Sequence, residues 1–361
     1  MNKQVDVCIV GGGPGGALLA FLLAKQNIST ILLERHEGID KEFRGEHLNE
    51  VGEQIFKKYN LYEKIKDLGL LLMKRIEYWE QGEIIKIVTP EAGNEHVGIH
   101  VPQNHLLSVI YNESAKLESY QSMLGTKVIE LIQDEKGKYI GVKALKNDEV
   151  ITIYSSVIIG ADGRFSTVRK LANISTTIIQ HGYDLLWAKI RSPENWEPTI
   201  RFALVEGNQL ALFTQTGGYI QIGWNIEEDS YSSLKKEPYE PFIKQLISAF
   251  PELSDTIRQH ILSCKDFVLL KVQSCRCETW VKDGLIIMGD AAHTMSPTGA
   301  IGVNSALKDA DVLVEILKNA IQNNDFSMKQ LKTFEYIRRE PIEKLQQEQL
   351  KREASFYENF K

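Results

Sequence analysis

The run Gly11-Gly12-Gly13-Pro14-Gly15-Gly16 constrains this chain more than any other feature, because of what stands on either side of it. Val5, Val7, Ile9 and Val10 form a short apolar run suited to a buried parallel strand, and Ala17 to Ala24 supply the apolar face of a helix that starts at the glycines. Ile31-Leu32-Leu33 then reads as a second strand, ending at Glu34 and Arg35. The resulting βαβ unit is suited to a dinucleotide. Gly11 permits the tight turn, Gly13 lets the backbone approach a pyrophosphate, and Gly16 lets the helix pack on the strand. Unpaired N–H groups at the helix start, beside Pro14 and Gly15, face the anion. Glu34 falls where an acidic side chain accepts hydrogen bonds from a ribose. A secretory signal is the competing reading, but five glycines and a proline interrupt its apolar segment.

The chain of 361 residues is long enough for two domains that share chain segments. Its formal net charge of -6 argues against nonspecific nucleic-acid binding, which needs a basic face. No apolar run approaches the roughly 20 residues of a membrane span, so no integral membrane segment is expected. The four cysteines, Cys8, Cys264, Cys275 and Cys277, form neither a zinc pattern nor a disulfide framework, which suggests reduced thiols and a cytoplasmic protein. Cys275 and Cys277 fall on one face of a strand; packing outweighs a redox role there, because no Cys-x-x-Cys helix context surrounds them.

Downstream of Arg44-Gly45-Glu46-His47 the pattern predicts a helix from about Asn49 to Tyr59, then a hairpin, Met73 to Trp79 and Glu83 to Val88, turning near Gln81-Gly82. Leu106, Leu107, Ile110, Tyr111 and Ala115 carry a helical period over Gln103 to Leu117. Strands at Lys127 to Gln133, Tyr139 to Leu145 and Glu149 to Tyr154 make a β-meander, followed by a separate parallel strand at Ser156 to Ile159. From about Thr176 to Val272 the segments Leu185 to Ile190, Ile200 to Val205, Gln209 to Thr214 and Tyr219 to Trp224 read as an antiparallel sheet. A helix near Tyr239 to Phe250 and a returning strand at Val268 to Gln273 follow. A long helix from about Gly302 to Ala320 precedes a charged stretch, Met328 to Lys361, read as a solvated helix pair lying on the cofactor domain and interrupted at Pro341. A membrane-surface or partner helix fits that stretch less well, since its charges are mixed. The expected architecture is α/β: a Rossmann-like dinucleotide-binding domain with a β-meander (residues 1–72, 98–175 and 274–326), an antiparallel-sheet substrate domain (73–97 and 176–273) and C-terminal helices (327–361).

Two further stretches complete the pattern: Gly160-Ala161-Asp162-Gly163 after the meander, and Gly289-Asp290-Ala291-Ala292-His293 after the apolar run Leu285 to Met288. In this order the three stretches point to FAD. The chain resembles the p-hydroxybenzoate hydroxylase-like class of single-component FAD monooxygenases over nearly its whole length. The resemblance implies that Gly11, Gly13, Gly16 and Glu34 bind the ADP half, that Arg44 reaches the phosphates, that Asp162-Gly163, with Arg164 and Arg169 nearby, lies around FAD and NAD(P)H, and that Asp290 meets the ribityl chain. It also implies a flavin-facing loop at Pro297, Gly299, Gly302, Val303 and Asn304, with Ala300 standing where glycine is usual. That loop opens a helix whose positive end stabilises charge on the reduced ring. Gln103 replaces the family's usual arginine and retains hydrogen-bonding capacity toward a phosphate or ribityl oxygen. His293 could be a base or a metal ligand; packing is the better reading, and no metal site is expected.

For such a family the expected chemistry is hydroxylation of an aromatic or other electron-rich small molecule, using NADPH or NADH and O2 through a flavin C4a-hydroperoxide. No catalytic side chain is assigned. Candidates for the substrate pocket, chosen by position on the sheet, are Trp187, Arg201, Phe213, Gln215 and Trp224. A reductase or dehydrogenase of the same fold is the alternative, and a flavin-binding regulator a more distant one. The oligomeric state is open.

Overall fold

The computed structural model describes residues 2–39 and 45–360, so Arg44 lies outside the described residues. The strand Asn2–Val10 pairs in parallel with Thr30–Leu33 on one side and Glu149–Gly160 on the other. Tyr120–Met123 and Leu285–Ile287 extend this sheet outward, also in parallel. Both faces are covered, which is why its strands are apolar runs without alternation: Val7, Cys8, Ile9, Ile31, Leu32 and Leu33 are all buried. The helix Pro14–Ala24 is buried along nearly its whole length.

The meander differs from expectation in one respect. Glu149–Gly160 is a single strand of 12 residues: its first half pairs antiparallel with Tyr139–Lys146, and its end pairs in parallel with Leu285–Ile287. Ser155 fell between the two expected segments, but the backbone ladder runs through it, with Val5 opposite.

The second sheet has the order Val268–Cys277, Thr176–Arg191, Tyr219–Glu227, Asn208–Gln215, Thr199–Val205, Arg75–Glu80, Glu83–Val88. The hairpin therefore joins this sheet, through a parallel pairing of Arg75–Glu80 with Thr199–Val205. One face packs on the helices Tyr239–Ala249 and Ser254–His260 in a separate apolar core that includes Leu186, Leu212, Ile222, Trp224, Ile243 and Leu246. A small third sheet, Gly45–Leu48, Ile99–Pro102 and Leu71–Leu72, lies in contact with the opposite face at Phe213.

The C-terminal segment corrects the sequence expectation. It is one helix, Met328–Ala354, running straight through Pro341. Pro341 is exposed, as is Ile337 one turn earlier, so the carbonyl that loses its partner faces water, while buried Phe334, Arg338, Ile342 and Gln346 anchor both halves. Its buried face carries polar and charged side chains, Glu335, Arg338, Gln346 and Gln349.

Candidate active site

At the first turn, four of the five glycines meet different surroundings. Gly11 has φ +109°, and a Cβ there would lie 2.3 Å from the Ala161 carbonyl oxygen; at Gly16 it would lie 2.1 Å from the Gly11 oxygen. Both positions are closed to any side chain. Gly15 is tight against Ala306, but a Cβ on Gly13 would meet nothing within 4 Å among the described residues. Gly13 is also the N-cap of Pro14–Ala24, and no side chain among the described residues caps that helix. Orphan N–H groups thus border open space, an arrangement that suits a phosphate oxygen.

Glu34 is buried at the adjacent strand end, where Oε2 accepts from the Gly12 N–H at 2.8 Å and Oε1 from the His36 N–H at 3.0 Å. A carboxylate has about four acceptor positions, so two bonds leave capacity for ribose hydroxyls. Arg35 points away, its Nε within 3.2 Å of the His36 ring. Tyr111, which was read only as part of a helix, hydrogen-bonds the Gly12 carbonyl at 3.3 Å and limits the loop on its other side. Gln103 is buried at the first position of Gln103–Ser114.

Asp162 has a structural duty. Its carboxylate accepts from the Thr167 and Val168 N–H groups at 2.6 and 3.0 Å and from Ser166 Oγ at 2.5 Å, fixing the turn after the meander. Arg169 ties this turn to the next motif by donating to the carbonyls of Ala291 (2.8 Å) and Arg164 (2.9 Å). Asp290 follows Leu285–Ile287, and its Oδ1 lies 3.8 Å from a Cβ built on Gly302, so the carboxylate and the start of the long helix share one space.

His293 is enclosed. Its Nε2 bonds Asp309 Oδ2 at 2.6 Å, and Asp309 also accepts from Gly289 N–H (2.9 Å) and Arg338 Nε (2.7 Å). Burial works to raise the Asp309 carboxyl, but His293 and Arg338 outweigh it and hold it below the usual range. This is a buried joint between two helices, with His293 in the packing role.

The segment Thr294 to Gly302 carries the largest surprise. Gln346 donates to the Thr294 carbonyl (3.1 Å), Gln349 donates to those of Ser296 (2.9 Å) and Thr298 (2.6 Å), and Glu353 accepts from Ser296 Oγ (2.7 Å) and Thr298 Oγ1 (2.6 Å). Spacings of three and four place these residues on one face of the C-terminal helix. Tyr183 and His181, from the second sheet, bond the same Glu353 carboxylate. Gly299 (φ 74°) and Ala300 (φ 52°) are both left-handed, which explains why glycine is usual at the latter. The long helix Ile301–Gln322 then starts without a side-chain cap. Asn304, in its first turn, clamps the small sheet: Nδ2 donates to the carbonyls of His47 (3.0 Å) and Ala300 (2.7 Å), and Oδ1 accepts from Asn49 N–H at 3.2 Å. Pro297 and Val303 flank these turns.

The family model described as "FAD binding domain" matches residues 4–349. The 6-methylpretetramide 4-monooxygenase of Streptomyces rimosus is 31% identical over 90% of this chain and 78% of its own length. The chain belongs to the p-hydroxybenzoate hydroxylase-like family of FAD monooxygenases. Among solved structures, Pseudomonas aeruginosa PqsL in complex with 2-aminobenzoylacetate superposes with a TM-score of 0.84 at 18% identity, covering 98% of this chain and 96% of that one. The p-nitrophenol 4-monooxygenase PnpA of Pseudomonas putida DLL-E4 gives 0.81 at 18% identity, covering 98% and 89%. The cofactor of this monooxygenase is FAD, and the open space at Gly13, the unused acceptors of Glu34 and the uncapped helix starts fit it.

Strand alternation divides the five pocket candidates of this monooxygenase. Phe213, Gln215 and Trp187 lie on the sheet face turned toward His47, with Phe213 5.2 Å from the His47 ring and 6.1 Å from Trp187. Arg201 and Trp224 do not. Arg201 pairs with Glu77 and Glu252 and stacks on Trp196, while Trp224 stacks on Phe242 at 4.0 Å, both on the helix-covered face. Their parity is opposite to that of Phe213 and Trp187 in the paired register, a signal present in the sequence once the strands are aligned. His47 and His100 were missed because they lie on short strands, Gly45–Leu48 and Ile99–Pro102, with too few residues to show a period.

Proposed function

We propose that this monooxygenase takes electrons from NADPH or NADH and inserts one atom of O2 into an aromatic small molecule held between the start of the long helix and the inner face of the second sheet. The observation that carries the reading is the Asn304 clamp, which sets His47, and through it Phe213 and Trp187, beside the segment Thr298 to Gly302. FAD, when bound, supplies the redox chemistry and the activation of oxygen. The chain's own residues hold it and choose what it meets. Gly13, Pro14, Gly15 and the N–H groups of their helix receive the pyrophosphate, Gly11 and Gly16 permit the turn, and Glu34 receives the ribose. Gln103 borders the phosphates and ribityl chain, Arg44 keeps the phosphate role that the family resemblance implies, Asp290 accepts from the ribityl hydroxyls, and Asp162 holds its loop in shape. Pro297, Gly299, Gly302, Val303 and Asn304 present the uncapped helix start to the ring edge. The aromatic walls Trp187 and Phe213, with Gln215 at the rim, orient the substrate and exclude water. The division into a discontinuous cofactor body and a sheet body, at the boundaries given above, belongs to this proposal.

The test uses purified protein. Denaturation releases FAD, and a screen of phenols and polycyclic enols finds compounds that stimulate NADPH or NADH oxidation with a product heavier by one oxygen atom. Stimulated oxidation that yields a reduced product with no added oxygen overturns oxygen insertion in favour of a reductase.

A further inference from the structure

The small third sheet presents a second chemical signal to the inner face of the second sheet, distinct from the aromatic walls. His47 and His100 are directly opposed across the two short strands, with ring centroids 5.3 Å apart. His47 Nε2 and His100 Nδ1 are shut off from solvent and have no hydrogen-bond partner among the described residues. An unpaired buried polar atom costs about 1–3 kcal/mol unless something arrives to satisfy it. Burial lowers the His47 imidazole to about 4, and burial first, then neighbouring charges including Lys189, holds His100 well below its usual range. Both are neutral at physiological pH, and in its Nδ1–H form His47 presents a lone pair at Nε2.

Along the sheet, Lys189, Gln221 and Phe213 occupy one rung, since Lys189 opposes Gln221 and Gln221 opposes Phe213. Lys189 Nζ lies 4.2 Å from the centre of the Tyr219 ring, with the Arg191 guanidinium 4.1 Å from the same ring. Neither cation pairs with a carboxylate among the described residues, which leaves one edge of the face positive. Between this edge and His47, Trp187 lies across Gly223, where a Cβ would come within 2.9 Å of its ring. Two strand spacings, about 10 Å, separate Lys189 from Phe213, a span of two to three fused rings.

We propose that Lys189 and His47 read the two ends of the substrate: the ammonium takes an anionic oxygen, and His47 Nε2 accepts a hydrogen bond from a phenolic or enolic hydroxyl at the far end. The aromatic body lies over Trp187 and Phe213. This rests on the monooxygenase reading of the same face and narrows it to acidic hydroxyaromatics that are two or three rings long.

The experiment titrates FAD-loaded protein with three probes, following the flavin absorbance at equilibrium without turnover. 6-Hydroxy-2-naphthoate carries both groups, 2-naphthol lacks the carboxylate, and 2-naphthoate lacks the hydroxyl. Lys189→Met should weaken 6-hydroxy-2-naphthoate on the order of tenfold or more and leave 2-naphthol unchanged. His47→Phe should do the same for the hydroxyl, sparing 2-naphthoate, and His47→Gln, which keeps an acceptor, should restore part of the loss. Equal losses for all probes, or no loss, overturns the assignment. So does failure of the unmodified protein to bind 6-hydroxy-2-naphthoate more tightly than both single-group probes. Failure of the underlying monooxygenase reading is seen separately, as absence of bound FAD or of stimulated NADPH oxidation by any compound.

Discussion

Replacing Gly13 by alanine separates the fold of the glycine loop from its ligand. The residue has φ −72° and ψ 179°, which alanine adopts without strain, and the added methyl meets no atom of the described residues within 4 Å. Two small effects on the apoprotein oppose each other: loss of glycine at a helix N-cap costs on the order of 1 kcal/mol, and a stiffer unfolded chain returns about 0.4–1 kcal/mol. Apoprotein stability should therefore stay within about 0.5 kcal/mol of the parent. The bound state differs, because the methyl occupies the space from which the backbone addresses the pyrophosphate. Losing one charge-assisted hydrogen bond there costs about 1.5–3 kcal/mol, or roughly 10- to 150-fold in the Kd for FAD. The assay is fluorescence titration of apoprotein with FAD, beside thermal melts without cofactor. Gly11→Ala is the contrasting case: with φ +109° and a 2.3 Å approach to a carbonyl, it should damage the apoprotein itself. If Gly13→Ala binds FAD like the parent, the pyrophosphate does not lie against this loop, and the reasoning is refuted.

Asp290→Ala should weaken FAD retention by about 1.5–3 kcal/mol through loss of a ribityl hydrogen bond, measured by flavin release on dilution; unchanged retention rejects its role. Glu353→Ala strips the acceptor from Ser296, Thr298, Tyr183 and His181 at a side chain only 9% exposed, and should cost about 2–4 kcal/mol and about 3–5 °C in Tm at neutral pH. Burial raises the Glu353 carboxyl, but the bonds from His181, Thr298 and Ser296 outweigh it and hold it below 4.5; its ionised form thus adds stability above pH 4.5 that fades as pH falls through the lower native value, so the parent and variant melts converge in acid. Ala300→Gly removes a left-handed strain of about 1–2 kcal/mol against an entropic loss of about 0.4–1 kcal/mol, and a melt should show a slightly more stable protein; a lower Tm contradicts the geometry.

Much of the fold was legible because its signals are local. The βαβ unit announces itself through Gly11, Gly16 and the apolar strands beside them, since only glycine fits against the Ala161 and Gly11 carbonyls. Ala300 was also legible: it departs from a glycine position, and its φ of 52° is the reason the position matters. Arg201 and Trp224 show where residue type misleads. Arginine and tryptophan on a strand suit a pocket or a core equally well, and only the register across Gln221 and Ala203 tells which face each one occupies. Harder still was the C-terminal helix, where polar Gln346, Gln349 and Glu353 look solvated in a charged sequence and Pro341 suggests a break. Their partners are backbone carbonyls and hydroxyls of a loop some fifty positions earlier, and no periodicity encodes a bond to a distant main chain. The same physics explains His47. A two-residue or four-residue strand has no measurable pattern, so the place of His47 beside Phe213 is visible only once Asn304, itself read as part of a flavin loop, is seen to hold that strand in place. Motifs carry the expectation of where the cofactor lies, while His47, proposed to read a substrate, sits on an element too short to carry a signal of its own.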